Sequence, residues 1–385
     1  MIQREAESLL RTLAHEFKAV AVVGPRQSGK TTLVRSVFAD KPYVSLENPD
    51  VRAFATQDTR SFLAQFPLGA VLDEAQRVPE LFSYLQQVLD DSPERGKFIL
   101  TGSNNFLLQE NISQSLAGRI AYLNLLPFTL NELPPDAVSD ADEWMLKGGY
   151  PAIHDGRTGR ANWFANYVRT YVERDVRQIR NITDLFAFER FMRLCAGRTG
   201  QLLNLSNLAV EAGVDSKTIA SWIGVLESSF IIHLLRPFHV NFNKRVVKMP
   251  KLLFLDTGLA CALMGITERN QLALHPMRGA LFENLVTSEL IKRLGHQGRF
   301  AQTWFWRDHK GHEVDLLIEE AGRTIPVEIK SGRTIQPEFF AELEYWTKLS
   351  GETGSVLIHG GDARQERSNG VRVLPWNGLF EAISI

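Results

Sequence analysis

Gly24-Pro25-Arg26-Gln27-Ser28-Gly29-Lys30-Thr31 fits the pattern G-x-x-x-x-G-K-[ST] of a phosphate-binding loop. Its flanks supply the context that the pattern requires. Ala19-Val20-Ala21-Val22-Val23 is a short apolar run that predicts a buried strand, and Thr31-Thr32-Leu33-Val34-Arg35-Ser36-Val37-Phe38 predicts the opening of a helix. A loop that joins strand to helix turns its backbone N–H groups toward a helix N-terminus, where an anion is stabilised. Gly24 and Gly29 permit that turn, and Pro25, Arg26, Gln27 and Ser28 complete the cradle. Lys30 is placed to reach the β- and γ-phosphates, Thr31 to offer a hydroxyl to Mg²⁺, and Thr32 continues the same helical turn. The expected ligands are ATP and Mg²⁺.

Some forty residues on, Leu68-Gly69-Ala70-Val71-Leu72-Asp73-Glu74-Ala75-Gln76 predicts a second apolar strand ending in two acids. Asp73 is the candidate for holding Mg²⁺ and Glu74 for polarising the attacking water, which extends binding to hydrolysis. A third strand is expected from Lys97-Phe98-Ile99-Leu100-Thr101, with Gly102-Ser103-Asn104-Asn105 at its carboxyl end, where ligands collect in open α/β sheets. Ser103 or Asn104 is the candidate sensor of the γ-phosphate, and residue type alone does not choose between them.

Composition narrows the class. With 385 residues, 44% of them hydrophobic and 23% charged, the chain is long enough for two or three domains and ordinary for a soluble protein. No apolar run approaches the length of a membrane span. The start, Met1 to Glu7, mixes charges without an apolar signal core, and the only cysteines are Cys195 and Cys261, so a cytoplasmic protein is expected. A net charge of −1 excludes a uniformly basic coat and leaves only local patches for nucleic acid.

The order of loop, acid pair and polar strand end resembles the AAA+ ATPases. Ser115-Leu116-Ala117-Gly118-Arg119, Leu126-Pro127-Phe128-Thr129-Leu130-Asn131-Glu132, Gly148-Gly149-Tyr150-Pro151 and the stretch from Tyr167 to Val176 are similar to a widespread prokaryotic family. In that family an AAA+ core precedes a C-terminal region of unknown function, and the resemblance runs over essentially the whole chain. It implies that Arg119 is an arginine finger, a cation that stabilises charge on the phosphoryl group and is often supplied by a neighbouring subunit. A homo-oligomer is therefore expected.

Beyond the link Glu132-Leu133-Pro134-Pro135-Asp136, the spacing of aromatic and aliphatic residues from Trp144 to Arg193 predicts a helical lid. The stretch from Leu205 to Ile223 predicts two helices around the turn Gly213-Val214-Asp215-Ser216, which is helix-turn-helix spacing. Phe230 to Leu235 and Lys251 to Leu255 predict two strands, which would complete a winged-helix domain. Arg236, Lys244, Arg245, Lys248 and Lys251 occur between and beside them without one acid, so a basic hairpin tip suited to a DNA backbone is expected, with Lys217 as the cation of the second helix.

The C-terminal part carries further acids. Gly311 to Ile318 and Ile325 to Lys330 predict adjacent strands around the turn Glu319-Glu320-Ala321-Gly322. Alternation places Glu328 and Lys330 on one face. Asp315 with Glu328 and Lys330 resembles the D…E-x-K element of the PD-(D/E)xK nuclease fold, and Glu283, on a helix around Gly279 to Val286, matches the extra acid of resolvase-like members. The resemblance implies Mg²⁺ on Glu283, Asp315 and Glu328, with Lys330 orienting water. The same acids also suit a module that holds DNA or assembles without cutting it. The expected architecture is α/β: an AAA+ P-loop core over 1–132, a helical lid over 133–195, a winged helix over 196–265 and a restriction-endonuclease-like domain over 266–385. The expected function is ATP hydrolysis coupled to action on DNA; an ATP-switched regulator or protein remodeller is the other class that fits.

Overall fold

In the computed structural model, the described residues are 2–102, 112, 116–134, 136–176, 182, 184–238, 247–299, 303–320 and 322–383. Ser103, Asn104, Lys244 and Arg245 lie outside them.

The apolar run Ala19–Val23 is strand β1, buried at every position. It lies inside a five-stranded parallel sheet with β2 (Tyr43–Ser45), β3 (Ala70–Asp73), β4 (Phe98–Gly102) and β5 (Ile120–Asn124), in the order β2-β3-β4-β1-β5. Because β4 is inserted between β1 and β3, the loop after β1 and the acids after β3 emerge from the same carboxyl edge with one strand between them. Both faces of this sheet are covered by apolar side chains, as continuous runs such as Ala-Val-Ala-Val-Val require. Gly69 admits β3 to the sheet: its φ is +86°, and a Cβ there would stand 1.7 Å from the carbonyl of Lys97. The strand accordingly starts at Ala70, not at Leu68.

Between residues 136 and 196 lie helices Ala141–Lys147, Pro151–His154, Arg160–Thr170 and Leu185–Ala196. Leu205–Ala212 and Ser216–Ser228 follow, separated by Gly213 in the left-handed conformation and capped by Asp215, whose carboxylate accepts from the N–H groups of Lys217 and Thr218. Strands β6 (Ile232–Leu235) and β7 (Lys251–Phe254) pair antiparallel behind them.

A six-stranded sheet closes the chain in the order β12-β13-β11-β10-β9-β8, comprising β8 (Thr303–Arg307), β9 (Glu313–Glu320), β10 (Arg323–Lys330), β11 (Val356–His359), β12 (Gln365–Glu366) and β13 (Arg372–Pro375). The β9–β10 hairpin is longer than its sequence suggests: Glu319 and Glu320 continue β9 and pair with Thr324 and Arg323, which shrinks the turn. Helix Arg278–His296 packs on this sheet and contributes to a single apolar core that runs from Leu126 to Ile383 among the described residues. No helix among the described residues is long and apolar enough to cross a membrane.

Candidate nucleotide site and acidic cluster

The loop Gly24–Gly29 leads into a helix that starts at Lys30. Gly24 has φ +155°, and a Cβ on it would lie 2.1 Å from the Leu125 carbonyl oxygen, so no side chain fits between the loop and the residue after β5. Gly29, at φ +94°, caps the helix without a side chain and leaves its N-terminal end open to an anion. Gln27 takes a positive φ of 61° in the same turn. Lys30 is 6% exposed, and its ammonium bends back to donate to the carbonyls of Gly24 (3.0 Å) and Pro25 (2.8 Å). Ser28 is fully buried, and its hydroxyl has no hydrogen-bond partner among the described residues. A lysine folded over a glycine-bounded loop at a helix N-terminus suits the β- and γ-phosphates of a nucleotide.

The acids meet the loop from β3. Thr31 Oγ1 donates 3.0 Å to Asp73 Oδ1, the Thr101 hydroxyl donates to the same oxygen, and Tyr43 donates 2.7 Å to Asp73 Oδ2. Burial and the bond to Asp73 push the Tyr43 phenol above its usual range. Thr31 and Asp73 thus meet where the resemblance places Mg²⁺. Glu74 follows in a left-handed turn at φ +56°, with its N–H 3.3 Å from Thr101 Oγ1 and its carboxylate accepting 2.5 Å from Gln76 Nε2. Residue spacing alone pointed to Asp73 and Glu74. Tyr43 and Thr101 were missed, because a hydroxyl at a strand end carries no signal until the strands are ordered.

A cavity of about 600 Å³ opens beside the loop, between Ile2, Arg4, Gly29, Thr32, Phe128 and His154. Its far wall explains two of the short motifs. The Phe128 N–H donates 2.7 Å to the Gly149 carbonyl, and a Cβ on Gly149 would stand 2.2 Å from the Phe128 carbonyl. Gly148, at φ +62°, faces the buried Asp256 carboxylate, which accepts 2.7 Å from the Gly149 N–H. The paired glycines let two backbone segments close on each other next to the loop. Arg4, another residue without a sequence signal, donates to Glu132 (2.8 Å), to the Ser28 carbonyl (2.8 Å) and to the Leu126 carbonyl (2.6 Å).

Arg119 stands apart from this site. It precedes β5 and its carbonyl accepts from Ala19 N–H, at the sheet edge opposite the loop, about 16 Å away for a five-residue strand. Its guanidinium forks onto Asp90 at 2.5 and 2.9 Å. It does not reach the phosphate loop of its own chain.

The candidate DNA contacts separate. Lys217, Arg236 and Lys248 are exposed. Lys251, expected at the basic tip, is instead only 2% exposed and points away from solvent into the acidic residues of the C-terminal part, so it is not available to a phosphate backbone. The arms of its hairpin lie along β8, with Phe238 N–H donating 2.7 Å to the Phe305 carbonyl and Val247 N–H donating 3.0 Å to the Arg307 carbonyl.

Glu283, Asp315, Glu328 and Lys330 come together, as the resemblance implies. Asp315 Oδ2 accepts 2.8 Å from the Ile329 N–H, Lys330 pairs with Glu328, and its ammonium lies 3.9 Å from Asp315. Glu313, two positions before Asp315 and hence on the same face of β9, joins them and was missed despite that alternation. Burial raises the carboxyl groups of Asp315, Glu328 and Glu283, the last to about 7 although Lys251 opposes the shift. The ammonium of Lys251 stands among the atoms a cation would need: 2.6 Å from Glu283, paired with Glu313, and 4.0 Å from Asp315. With a buried ammonium among Glu283, Glu313 and Asp315 and Glu328 paired to Lys330, these residues do not fit the Mg²⁺ that the nuclease resemblance implies.

Three family models match in sequence: an AAA domain over residues 16–134, a domain of unknown function (DUF8612) over 138–270 and a domain of unknown function (DUF4143) over 278–379. The uncharacterized protein Rv2008c of Mycobacterium tuberculosis is 32% identical over 387 residues, which cover 100% of this chain and 86% of that protein. The uncharacterized protein MJ1544 of Methanocaldococcus jannaschii is 22% identical, covering 83% of this chain and 75% of its own length. Among solved structures, the Walker-type ATPase PABY2304 of Pyrococcus abyssi matches at 15% identity and a TM-score of 0.47, covering 68% of this chain and 96% of that one. The Aeropyrum pernix ORC2 protein in its ADP form matches at 16% identity and a TM-score of 0.35, over 61% and 87%. With a P-loop and acid pair inside the AAA segment and a relative of that identity over its full length, the chain belongs to the family of the mycobacterial Rv2008c protein and is a prokaryotic AAA+ ATPase.

Proposed function

We propose that this protein hydrolyses ATP at the β1–β3 edge and uses the cycle to act on DNA. The observation that carries the reading is the Thr31–Asp73 hydrogen bond, which joins the phosphate loop to the end of β3, with Lys30 folded over that loop and Glu74 one residue beyond Asp73. Lys30 would hold the β- and γ-phosphate oxygens, and Thr31 with Asp73 would hold Mg²⁺, which supplies charge neutralisation on the transferred phosphoryl group. Glu74 would accept the proton of the attacking water, and Gln76 would orient its carboxylate. The cavity between Arg4, Thr32, Phe128 and His154 suits the nucleoside, since it opens directly beside Gly29. Arg119, remote from its own loop, would serve the loop of a second copy, which makes the active form a homo-oligomer.

DNA action is supported by the exposed cations Arg236 and Lys248 on either side of residues 239–246, together with Lys217 at the start of a capped helix. In this reading the winged helix grips DNA and the C-terminal part holds DNA or an assembly contact. The chain would divide into four parts, at about 132, 195 and 265. The test is the ATPase rate with and without single-stranded, duplex and four-way-junction DNA. Lys30→Ala should abolish nucleotide binding and Glu74→Gln should bind ATP yet turn over at least about a hundredfold more slowly. Unchanged turnover in Glu74→Gln rejects the role of that acid, and a rate indifferent to every DNA rejects the coupling.

A further inference from the structure

The acidic cluster at the start of β9 and the end of β10 already contains a cation. Glu283, Glu313 and Asp315 each offer a carboxylate oxygen within 4.8 Å of the others, a spacing that holds a metal ion. The same three carboxylates surround the Lys251 ammonium. That lysine does not belong to the C-terminal sheet. It is the first residue of β7, and its backbone is fixed from the other side: it pairs with Leu235 of β6 and bridges Leu202, while Leu252 N–H donates 3.0 Å to the Gln201 carbonyl. The side chain so anchored is only 2% exposed.

Charge in the cluster is nearly balanced without a metal. Four carboxylates, Glu283, Glu313, Asp315 and Glu328, face three cations, Lys251, Lys330 and Arg307, the last 3.0 Å from Glu313. A divalent ion added to this set would bring two further charges against an ammonium a few ångströms away, at a cost that a low-dielectric site makes large.

We propose that Lys251, delivered from the β6–β7 hairpin, is the resident cation of this cluster and closes it to divalent metal. The domain therefore has the carboxylates of a metal site and, in this arrangement, no metal function. Removing the ammonium exposes the metal site beneath it.

The experiment is Mn²⁺ binding to nucleotide-free protein, read by the loss of the free-ion signal in electron paramagnetic resonance. Wild type and Glu283→Gln should titrate alike, with no site that depends on Glu283. Lys251→Gln should gain one Mn²⁺ site at least tenfold tighter than any in wild type, and Lys251→Gln with Asp315→Asn should lose it. A wild-type Mn²⁺ site abolished by Glu283→Gln overturns the proposal, as does a folded Lys251→Gln that gains none. Should Lys251→Gln fail to fold, the wild-type comparison decides alone. The P-loop does not confuse the reading, because its Mn²⁺ site is unaffected by Glu283 and Asp315.

Discussion

Arg4 and Glu132 form a buried ion pair at 2.8 Å that ties the residues before the first helix to the segment after β5. Glu132 also accepts from the N–H groups of Glu5 and Thr129 at 2.8 Å each, and Arg4 stacks 4.7 Å over the Phe128 ring. Since Arg4 donates to the Ser28 carbonyl as well, the pair anchors the phosphate loop from behind. Burial opposes ionisation of Glu132, but Arg4 and His296 hold its carboxyl below the usual range.

Arg4→Met should destabilise the protein by about 3–5 kcal/mol, the usual result of leaving one charge of a buried pair uncompensated. The double change Arg4→Met with Glu132→Gln should recover part of that loss. Urea unfolding measures both. A loss under about 1 kcal/mol for the single variant would show that the pair does not hold the loop.

Arg119→Ala should leave ATP binding intact and lower turnover by about 10³-fold, the lower range for an arginine finger. Mixing it with Lys30→Ala should restore activity, because one chain supplies the phosphate loop and the other the arginine. Full turnover in Arg119→Ala, or no recovery on mixing at any nucleotide concentration, removes the shared site.

Replacing Lys217, Arg236 and Lys248 by Ala should weaken duplex binding and flatten its salt dependence by about 0.9 for each phosphate that is no longer neutralised. Lys251→Gln should leave that slope unchanged, because the ammonium is buried among carboxylates. Affinity and slope that ignore all three exposed cations would assign this surface to something other than a phosphate backbone.

His296 is buried beside Glu132, Arg4 and Lys292, and burial lowers its pKa from 6.5 to about 4 despite the opposing pull of Glu132. Below pH 6.5 the unfolded chain takes a proton that the folded chain refuses until about pH 4. The stabilisation is therefore present above pH 6.5 and is lost as pH falls, by about 1.4 kcal/mol per unit at most. Buried carboxyls with raised values, Glu283 among them, act in the opposite direction over the same range. The difference between wild type and His296→Leu isolates the histidine: the wild-type urea midpoint minus that of the variant should fall from about pH 7 to about pH 5. A gap independent of pH would mean that His296 titrates alike in both states.

The nucleotide half was legible in sequence because its chemistry is local. A glycine-bounded loop between an apolar strand and a helix needs consecutive residues, and two acids at the end of β3 need only an apolar run before them. The hairpin of β9 and β10 was legible for the same reason, since alternation puts Glu328 and Lys330 on one face whatever surrounds them. Lys251 was not. In sequence it is the last of five cations in a stretch without acids, which reads as a solvated tip; its partner Glu283 is 32 residues away, and Arg4 is 128 residues from Glu132. Turn and strand preferences act over a few residues, whereas burying a charge depends on which distant elements the chain brings against it. The sequence by itself therefore determined the phosphate loop, its acids and the pairing of the carboxylates. Only the tertiary structure decided that a lysine from β7 would sit among them, because packing alone sets which charges leave water together.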